Sequence, residues 1–281
     1  MKKNTIIQTV SLACALAFSM QAQSSGVFRV CADPNNPPYS TKEGKGFENK
    51  IAEDLAKALD QKVEYTWFPQ RLGFIRNTLK AKLPDSEEYK CDVIMGLPTG
   101  AEMVSTTVPY YRSTYVMIIR KGIGLDGIKS PGELDQVQGA EREKIRFAMY
   151  DRQPGTDWIL KHGFVGQGVP YQSMTGDVTQ NAGQVLAKDF KDKQIDVAIV
   201  WGPIAAFIAQ QKPSDYLLIP MKSDAGIRFD FPMSIGVRVP DKDRKEKLDE
   251  LLKKEAASID AILKDFEIPL VDEQGNLKSS E

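Results

Sequence analysis

Residues 91–121 read CDVIMGLPTGAEMVSTTVPYYRSTYVMIIRK, and the rest of the chain can be arranged around this stretch. Asp92 to Met95 is a short, mostly apolar run bounded by a glycine and a proline, which is typical of a buried strand. A polar loop follows, and a second apolar run from Tyr115 to Ile119 ends at a charged pair. The pattern predicts two strands joined by a polar loop.

Strands and helices alternate on both sides of this stretch. The run from Phe28 to Ala32 predicts a strand, and apolar positions from Phe47 to Leu59 recur at helical spacing. One long amphipathic helix is predicted for residues 245–263. Shorter helices are predicted at 71–80, 157–161, 177–189 and 203–210. This alternation favours an α/β fold with mostly parallel sheets.

The first 25 residues have the features of a secretory signal peptide. Lys2 and Lys3 precede an apolar core, and small residues near Ala22 offer cleavage points. Cys14 fits a lipid-attachment site poorly, because the apolar core continues past it. Nothing later approaches the roughly 20 apolar residues that a membrane span needs. We therefore expect an exported, periplasmic protein.

The charge balance excludes some classes of partner. Removing Lys2 and Lys3 with the signal leaves 35 basic residues against 38 acidic ones, a net charge of −3. Such a balance gives no support to nucleic-acid binding or to binding at an anionic membrane surface. The chain also lacks a Gly-x-Ser-x-Gly elbow and a phosphate loop, so we do not expect an enzyme.

Two cysteines, Cys31 and Cys91, follow the predicted signal. An even count in an exported chain favours a disulfide, although two unpaired buried thiols are the alternative. Two cysteines and one histidine, His162, do not suffice for a conventional zinc or haem site. We expect neither a metal nor a cofactor in this chain.

The strand, loop and Pro-Tyr layout of residues 91–121 resembles the extracytoplasmic solute-binding proteins that serve ABC transporters as amino-acid receptors. The resemblance implies a type II periplasmic-binding-protein fold, with two lobes, a central cleft and two crossover hinge segments. It implies a first lobe at 27–112 plus 230–281 and a second lobe at 113–229. The implied hinge residues are Tyr111, Arg112, Asp230 and Phe231.

The resemblance also bears on the cysteines and on the ligand. In that fold the strands holding Cys31 and Cys91 are parallel neighbours, so a bond between them is plausible. The receptor pattern Gly-x-Thr-x-Thr-x-Glu-Arg corresponds here to GLPTGAEM at 96–103, which ends at Met103. The aspartate that holds the ligand ammonium is replaced by Trp201. A methionine cannot replace a bidentate arginine–carboxylate contact, so the amino-acid-binding groups are missing.

Aromatic and polar side chains remain at positions that the resemblance places near the cleft. Wide amphipathic rings suit either a large apolar ligand or a protein anchor. Alternatively, several of these rings, Phe74 above all, belong to the cores, and Asp33 caps a turn in its Pro-Asn loop. The candidate binding residues are Asp33, Tyr39, Trp67, Gln70, Arg71, Thr99, Glu102, Thr156 and Trp201.

Several blocks carry a closer resemblance, to the quinoprotein-dehydrogenase-associated periplasmic binding proteins of the MxaJ and XoxJ type. This resemblance implies a non-catalytic accessory of a pyrroloquinoline-quinone (PQQ)-dependent methanol dehydrogenase, binding the large subunit, the holoenzyme or a partly folded apo subunit. The quinone and the metal would belong to that enzyme. The alternative is a transport receptor for a small non-amino-acid solute, with an ABC permease as partner. The matching blocks are RVCADPNNPPYS (29–40), GFENKIAE (46–53), EYTWFPQRLGFIRNTL (64–79), CDVIMGLPTG (91–100) and PYYRSTYV (109–116).

Overall fold

The computed structural model describes residues 26–173 and 178–278. The predicted signal at 1–25 lies outside these residues. The strands are β1 Val27–Ala32, β2 Asn35–Asn36, β3 Ser40–Thr41, β4 Lys62–Trp67, β5 Val93–Pro98, β6 Ser105–Thr106, β7 Tyr111–Arg120, β8 Phe147–Tyr150, β9 Gly168–Tyr171, β10 Val197–Trp201, β11 Tyr216–Pro220 and β12 Asp230–Val237.

Eight α-helices alternate with these strands along the described chain, which confirms the predicted α/β class. None of the described helices has both the length and the apolar composition that crossing a membrane requires. The helices are α1 Phe47–Ala58, α2 Phe74–Asn77, α3 Gly139–Lys144, α4 Pro154–Lys161, α5 Ala182–Lys191, α6 Gly202–Gln211, α7 Lys242–Lys254 and α8 Ala256–Asp265, with short 3₁₀ helices at Pro131–Gln136, Val165–Gln167 and Pro213–Asp215.

Ten strands form one sheet, whose central order is β4-β1-β5-β12-β7-β10-β8-β9. Strands β1, β4 and β5 are parallel, and so are β8, β9 and β10. The prediction of mostly parallel pairing is wrong at the centre, where β12 is antiparallel to β5 and β7, and β7 is antiparallel to β10 and β11. The reason is topological. The chain passes from one half of the sheet to the other along β7 and returns to the first half along β12, so these two strands run in opposite directions.

β7 is shared between the two halves of the sheet. Its first four residues, Tyr111 to Thr114, pair with β12, whereas Tyr115 to Arg120 pair with β10 and β11. The predicted lobe boundaries fall at this strand and at the start of β12, and they stay a prediction.

Separate apolar cores lie against the two halves. The first contains Phe47, Ile51 and Leu55 of α1, which confirms the predicted inward face of that helix. Ala58 and Leu59, also expected on that face, depart from the prediction: Ala58 is exposed at the end of the helix, and Leu59 follows the helix and is 38% exposed. The other half has a core on each face of its sheet, centred on residues such as Phe147 and Leu186.

Three helix boundaries differ from the prediction. The helix expected at 71–80 is only one turn long, because Gly73 before it adopts φ +87°, a left-handed conformation that an α-helix excludes. The helix expected at 177–189 begins at Ala182, where the Asn181 side chain accepts a hydrogen bond from the Gln184 amide. The single helix expected at 245–263 is interrupted at Glu255, and both segments pack into the core beside α1.

Cys31 and Cys91 form the predicted disulfide, with Cα atoms 5.4 Å apart. The bond links β1 to the residue two positions before β5, and Val30 pairs with Val93 in parallel register. Both cysteines are buried, in a small cluster that includes Leu79. The pairing expected from the cysteine count and from the resemblance is therefore confirmed.

Candidate functional site

A cavity of about 490 Å³ lies between the loop after β1, the end of β5, the centre of the sheet and the segment before α5. This volume is within the range of small-molecule sites. Its lining includes the predicted residues Asp33, Tyr39, Gln70, Arg71, Trp201 and Phe231, together with Asn35, Asn36, Glu48, Pro69, Gly96, Pro98, Tyr115, Gln153, Gln172, Ser173, Val178, Gln180, Asn181, Ala182, Ile204 and Met233.

Three aromatic rings form one wall of this cavity because of strand register. Trp201, the last residue of β10, pairs with Tyr115 of β7, and their ring centres are 5.5 Å apart. Phe231 of β12 lies 6.0 Å from the Trp201 ring and 6.4 Å from the Tyr115 ring. All three contacts are edge-to-face, a favourable arrangement for aromatic pairs. The wall therefore combines strands from both halves of the sheet.

A close contact between α1 and the preceding loop positions Tyr39 and Glu48. The amide of Phe47 donates to the Pro38 carbonyl at 2.8 Å, and the amide of Glu48 donates to the Tyr39 carbonyl at 3.0 Å. A Cβ atom at Gly46 would lie 1.9 Å from the Tyr39 carbonyl oxygen, so only glycine allows this approach. Both side chains consequently line the cavity.

Glu48 is half-buried, and its carboxyl group lies against Gly96. Gly96 has φ +65°, and a Cβ atom there would come within 1.9 Å of a Glu48 carboxyl oxygen. Burial raises the pKa of Glu48 to about 8. Burial also raises the pKa values of Tyr39 and Tyr110 well above the ordinary tyrosine value. Of these three side chains, Glu48 is therefore the one that changes its protonation state near neutral pH.

Asp33 lines the cavity, but its carboxylate holds the surrounding loops. One oxygen accepts the Asn35 amide at 2.8 Å, and the other accepts the Gln70 amide at 2.5 Å. This arrangement fits the turn-capping alternative for Asp33. Gln70 and Arg71 are exposed at the mouth of the cavity, and the Arg71 guanidinium lies 5.8 Å from the Phe68 ring centre.

The mouth is bridged by Asn35, which lies in β2. Its side-chain amide donates to the Thr179 carbonyl at 3.0 Å, and its backbone carbonyl accepts the Asn181 side chain at 3.2 Å. Gln184 of α5 adds a longer hydrogen bond, 3.4 Å, to the Asn35 side-chain oxygen. These contacts join the loop after β1 to the segment before α5.

Two predicted binding residues, Trp67 and Thr156, lie outside the cavity lining. Trp67 stacks on Tyr65, with ring centres 4.5 Å apart, at the edge of the first core. The Thr156 hydroxyl donates to the Tyr150 carbonyl at 2.6 Å. The helix containing Thr156 begins at Pro154, and it is the preceding Gln153 that reaches the cavity.

Two further predicted residues lie on the loop that follows β5. The Thr99 hydroxyl lies 2.7 Å from the Ser234 hydroxyl, so it links that loop to β12. Glu102 is exposed, and Met103 is 40% exposed with φ +70°. Neither lines the cavity. Of the receptor pattern at 96–103, Gly96 and Pro98 line the cavity, whereas Thr99, Glu102 and Met103 do not. The predicted binding roles of Thr99 and Glu102 stay untested predictions.

Sequence reasoning did not select several residues that line the cavity. A sequence signal for Glu48 exists, since it lies in the block GFENKIAE (46–53) that matches the related binding proteins. Tyr115 lies in an apolar strand pattern, and its hydroxyl donates to the Gln153 side chain at 2.5 Å. No local signal identifies that pair, because β7 and the loop before α4 meet only in the folded chain.

The predicted hinge residues lie where β7 and β12 pair. Arg112 and Asp230 form an ion pair of 2.5 Å. Burial acts to raise the pKa of Asp230, but hydrogen bonds from Ser223 and Arg112 outweigh it and lower that pKa. Tyr111 is buried in the first core. Among the described residues, no group of histidine, cysteine or acidic side chains is arranged to hold a metal ion.

Comparison with known proteins shows which family shares this fold. No family model matches the chain. The periplasmic binding protein XoxJ from Methylobacterium extorquens AM1 is 34% identical, with a TM-score of 0.67, over 88% of this chain and 100% of that one. MxaJ from Methylophaga aminisulfidivorans MPT is 25% identical, with a TM-score of 0.69, over 87% of this chain and 100% of that one.

A curated relative extends the similarity at the level of sequence. Protein MoxJ from Paracoccus denitrificans is 28% identical over 274 residues, covering 92% of this chain and 94% of that protein. The chain therefore has the periplasmic-binding-protein fold and belongs to the XoxJ and MxaJ group of periplasmic binding proteins.

Proposed function

We propose that this protein is a non-catalytic periplasmic accessory of a PQQ-dependent methanol dehydrogenase. It binds the large subunit, the holoenzyme or a partly folded apo subunit through the aromatic cavity and its mouth, and thereby aids maturation or activation. Membership of the XoxJ and MxaJ group carries this proposal.

The chemistry of the cavity supports a ligand other than a free amino acid. Trp201 occupies the position of the ammonium-binding aspartate, and its ring is part of the aromatic wall. Met103, in the position of the carboxylate-binding arginine, lies outside the cavity. Aromatic rings with a polar rim are common at protein interfaces, where they anchor a partner.

The mouth offers an exposed apolar contact. Leu72 is 86% exposed and follows Arg71, which lines the cavity. A partner segment that enters the cavity would cover this loop. A substitution at Leu72 tests the contact without disturbing the core, because exposed side chains contribute little to stability.

The test is capture of the dehydrogenase from the periplasm of methanol-grown cells by the tagged protein. We expect recovery of the large subunit, with the recovered amount reduced at least several-fold by Leu72→Asp. Leu160→Asp is the matched control, since Leu160 is 51% exposed on α4 and outside the cavity lining. Recovery of an ABC permease instead, with dehydrogenase activity unchanged in a deletion strain, would contradict the proposal.

That result would favour a transport receptor for a small solute that is not an amino acid. The cavity volume of about 490 Å³ suits such a ligand. Thermal-shift screening with polyamines, the quinone cofactor and lanthanide complexes would then identify the ligand class. A dissociation constant of about 1 μM, which corresponds to a binding free energy of about −8 kcal/mol, is expected for a receptor of this kind.

A further inference from the structure

Glu48 differs from Asp33, the other acidic side chain of the cavity, because the described residues provide no ion pair or hydrogen bond to its carboxyl group. Both carboxylate oxygens of Asp33 accept backbone amides. Arg71 is exposed at the mouth, where solvent and salt screen its charge. An ionised carboxylate in crowded, largely apolar surroundings is costly unless a cation pairs with it.

The rest of the cavity surface suits a cation. Tyr39, Tyr115, Trp201 and Phe231 all contribute aromatic surface to the same space as Glu48. The faces of such rings attract ammonium and guanidinium groups, and the attraction is stronger when water is excluded. A carboxylate that has no partner of its own and lies among several rings is an arrangement that stabilises an organic cation with an apolar stem.

We propose that the cavity binds an alkyl guanidinium or alkyl ammonium group, with the cationic group at the Glu48 carboxylate and the alkyl stem against the aromatic wall. The same chemistry is available from a small solute and from an arginine or lysine side chain of another protein. The proposal depends on the cavity alone and does not require the dehydrogenase to be the partner.

Proton release accompanies this binding. With a pKa of about 8, most Glu48 side chains in the free protein are protonated at pH 7, and the cation binds the ionised form. The apparent affinity should therefore rise about tenfold per pH unit between pH 6 and 7 and level off above pH 8. The surrounding tyrosines keep their protons in this range, since their pKa values are raised. The titratable or charged groups around Glu48 are Tyr39, Tyr65, Tyr110, Tyr111, Tyr115, Asp33 and Arg71.

The experiment uses two pairs of probes with equal shape and different charge. The first pair is n-butylguanidine and its neutral isostere n-butylurea. The second is capped Ala-Arg-Ala and the same peptide with citrulline in place of arginine. Binding to the full mature protein is measured by calorimetry from pH 6 to 9, in two buffers of different ionisation enthalpy, which counts the protons released.

We expect the wild-type protein at pH 9 to bind at least one cationic probe tenfold more tightly than its neutral isostere. Glu48→Gln should abolish that preference, whereas Glu53→Gln should keep it. Glu53 is the matched control because it lies on the same helix but pairs with Lys50 outside the cavity.

Preference for the peptide alone would identify a protein side chain as the ligand, and preference for butylguanidine would identify a small solute. The proposal fails if neither cationic probe is preferred, if the preference survives Glu48→Gln, or if affinity does not change between pH 6 and 8. The pH series on the wild-type protein tests the proposal even if Glu48→Gln does not fold, because it needs no variant.

Discussion

Glu48 shows how one side chain links the local fold to the properties of the cavity. In the free protein its pKa is raised from about 4.5 to about 8, so the folded chain keeps a proton that the unfolded chain releases between these values. The free energy of unfolding should therefore decrease as pH rises from 4.5 to 8 and be independent of Glu48 outside that window. Glu48→Gln should reduce this decrease by on the order of 2 kcal/mol, since the side chain is only half-buried.

Urea unfolding at pH 5 and pH 8 measures this effect, with Glu53→Gln as the control. An equal decrease in the wild-type protein and in Glu48→Gln would contradict the raised pKa. A smaller decrease in Glu48→Gln than in the wild-type protein, together with an unchanged decrease in Glu53→Gln, would agree with the raised pKa.

At the scale of elements, the disulfide fixes β1 against the start of β5. The bond between Cys31 and Cys91 closes a loop with a sequence separation of 60 residues. In the chain-entropy model, removing such a bond destabilises the folded state by about 4 kcal/mol, because the unfolded chain regains conformational freedom. We expect Cys31→Ala/Cys91→Ala to lower the urea midpoint accordingly. Both positions are buried, so alanine avoids burying a new polar group.

Mass spectrometry of the protein purified from the periplasm supplies the control for that comparison. It should show Cys31 linked to Cys91 and no free thiol. Two alkylatable cysteines would mean that the bond does not form, and the variant would then differ from the wild type only through packing.

For the whole molecule, the mouth of the cavity is held by Asn35, which bonds to the segment before α5 through Thr179, Asn181 and Gln184. Each such hydrogen bond contributes roughly 0.5–1.5 kcal/mol. Asn35→Ala removes the two that use its side chain, so we expect the segments on the two sides of the mouth to separate more often. Small-angle X-ray scattering should then give a larger radius of gyration.

Asn36→Ala is the matched control, because the Asn36 side chain bonds to Gln70 on the same side of the mouth. It should leave the radius of gyration unchanged. An equal increase in both variants would show that β2 is merely destabilised. No increase in Asn35→Ala would show that the bridge does not hold the mouth.

Local patterns were enough to predict most elements of this protein. Helix α1 follows from the apolar spacing between Phe47 and Leu55, and the buried start of β5, Val93 to Met95, follows from a short apolar run, although the strand itself continues to Pro98. The cysteine count favoured the disulfide before any geometry was known. These features depend on neighbours in sequence or on simple chemistry, so the sequence by itself determined them.

The tertiary structure alone decided the direction of the central strands and the composition of the cavity. β7 and β12 are antiparallel because the chain crosses from one half of the sheet to the other in β7 and returns in β12. The spacing of apolar residues within a strand does not predict the direction of its neighbour. Glu48 lines the same cavity as the aromatic wall because Gly46 allows close approach to Tyr39 and Gly96 allows close approach to Glu48, which is far from it in sequence. The pKa of Glu48 is raised by the atoms that fold around it, since desolvation is a property of the packed chain and not of the residue.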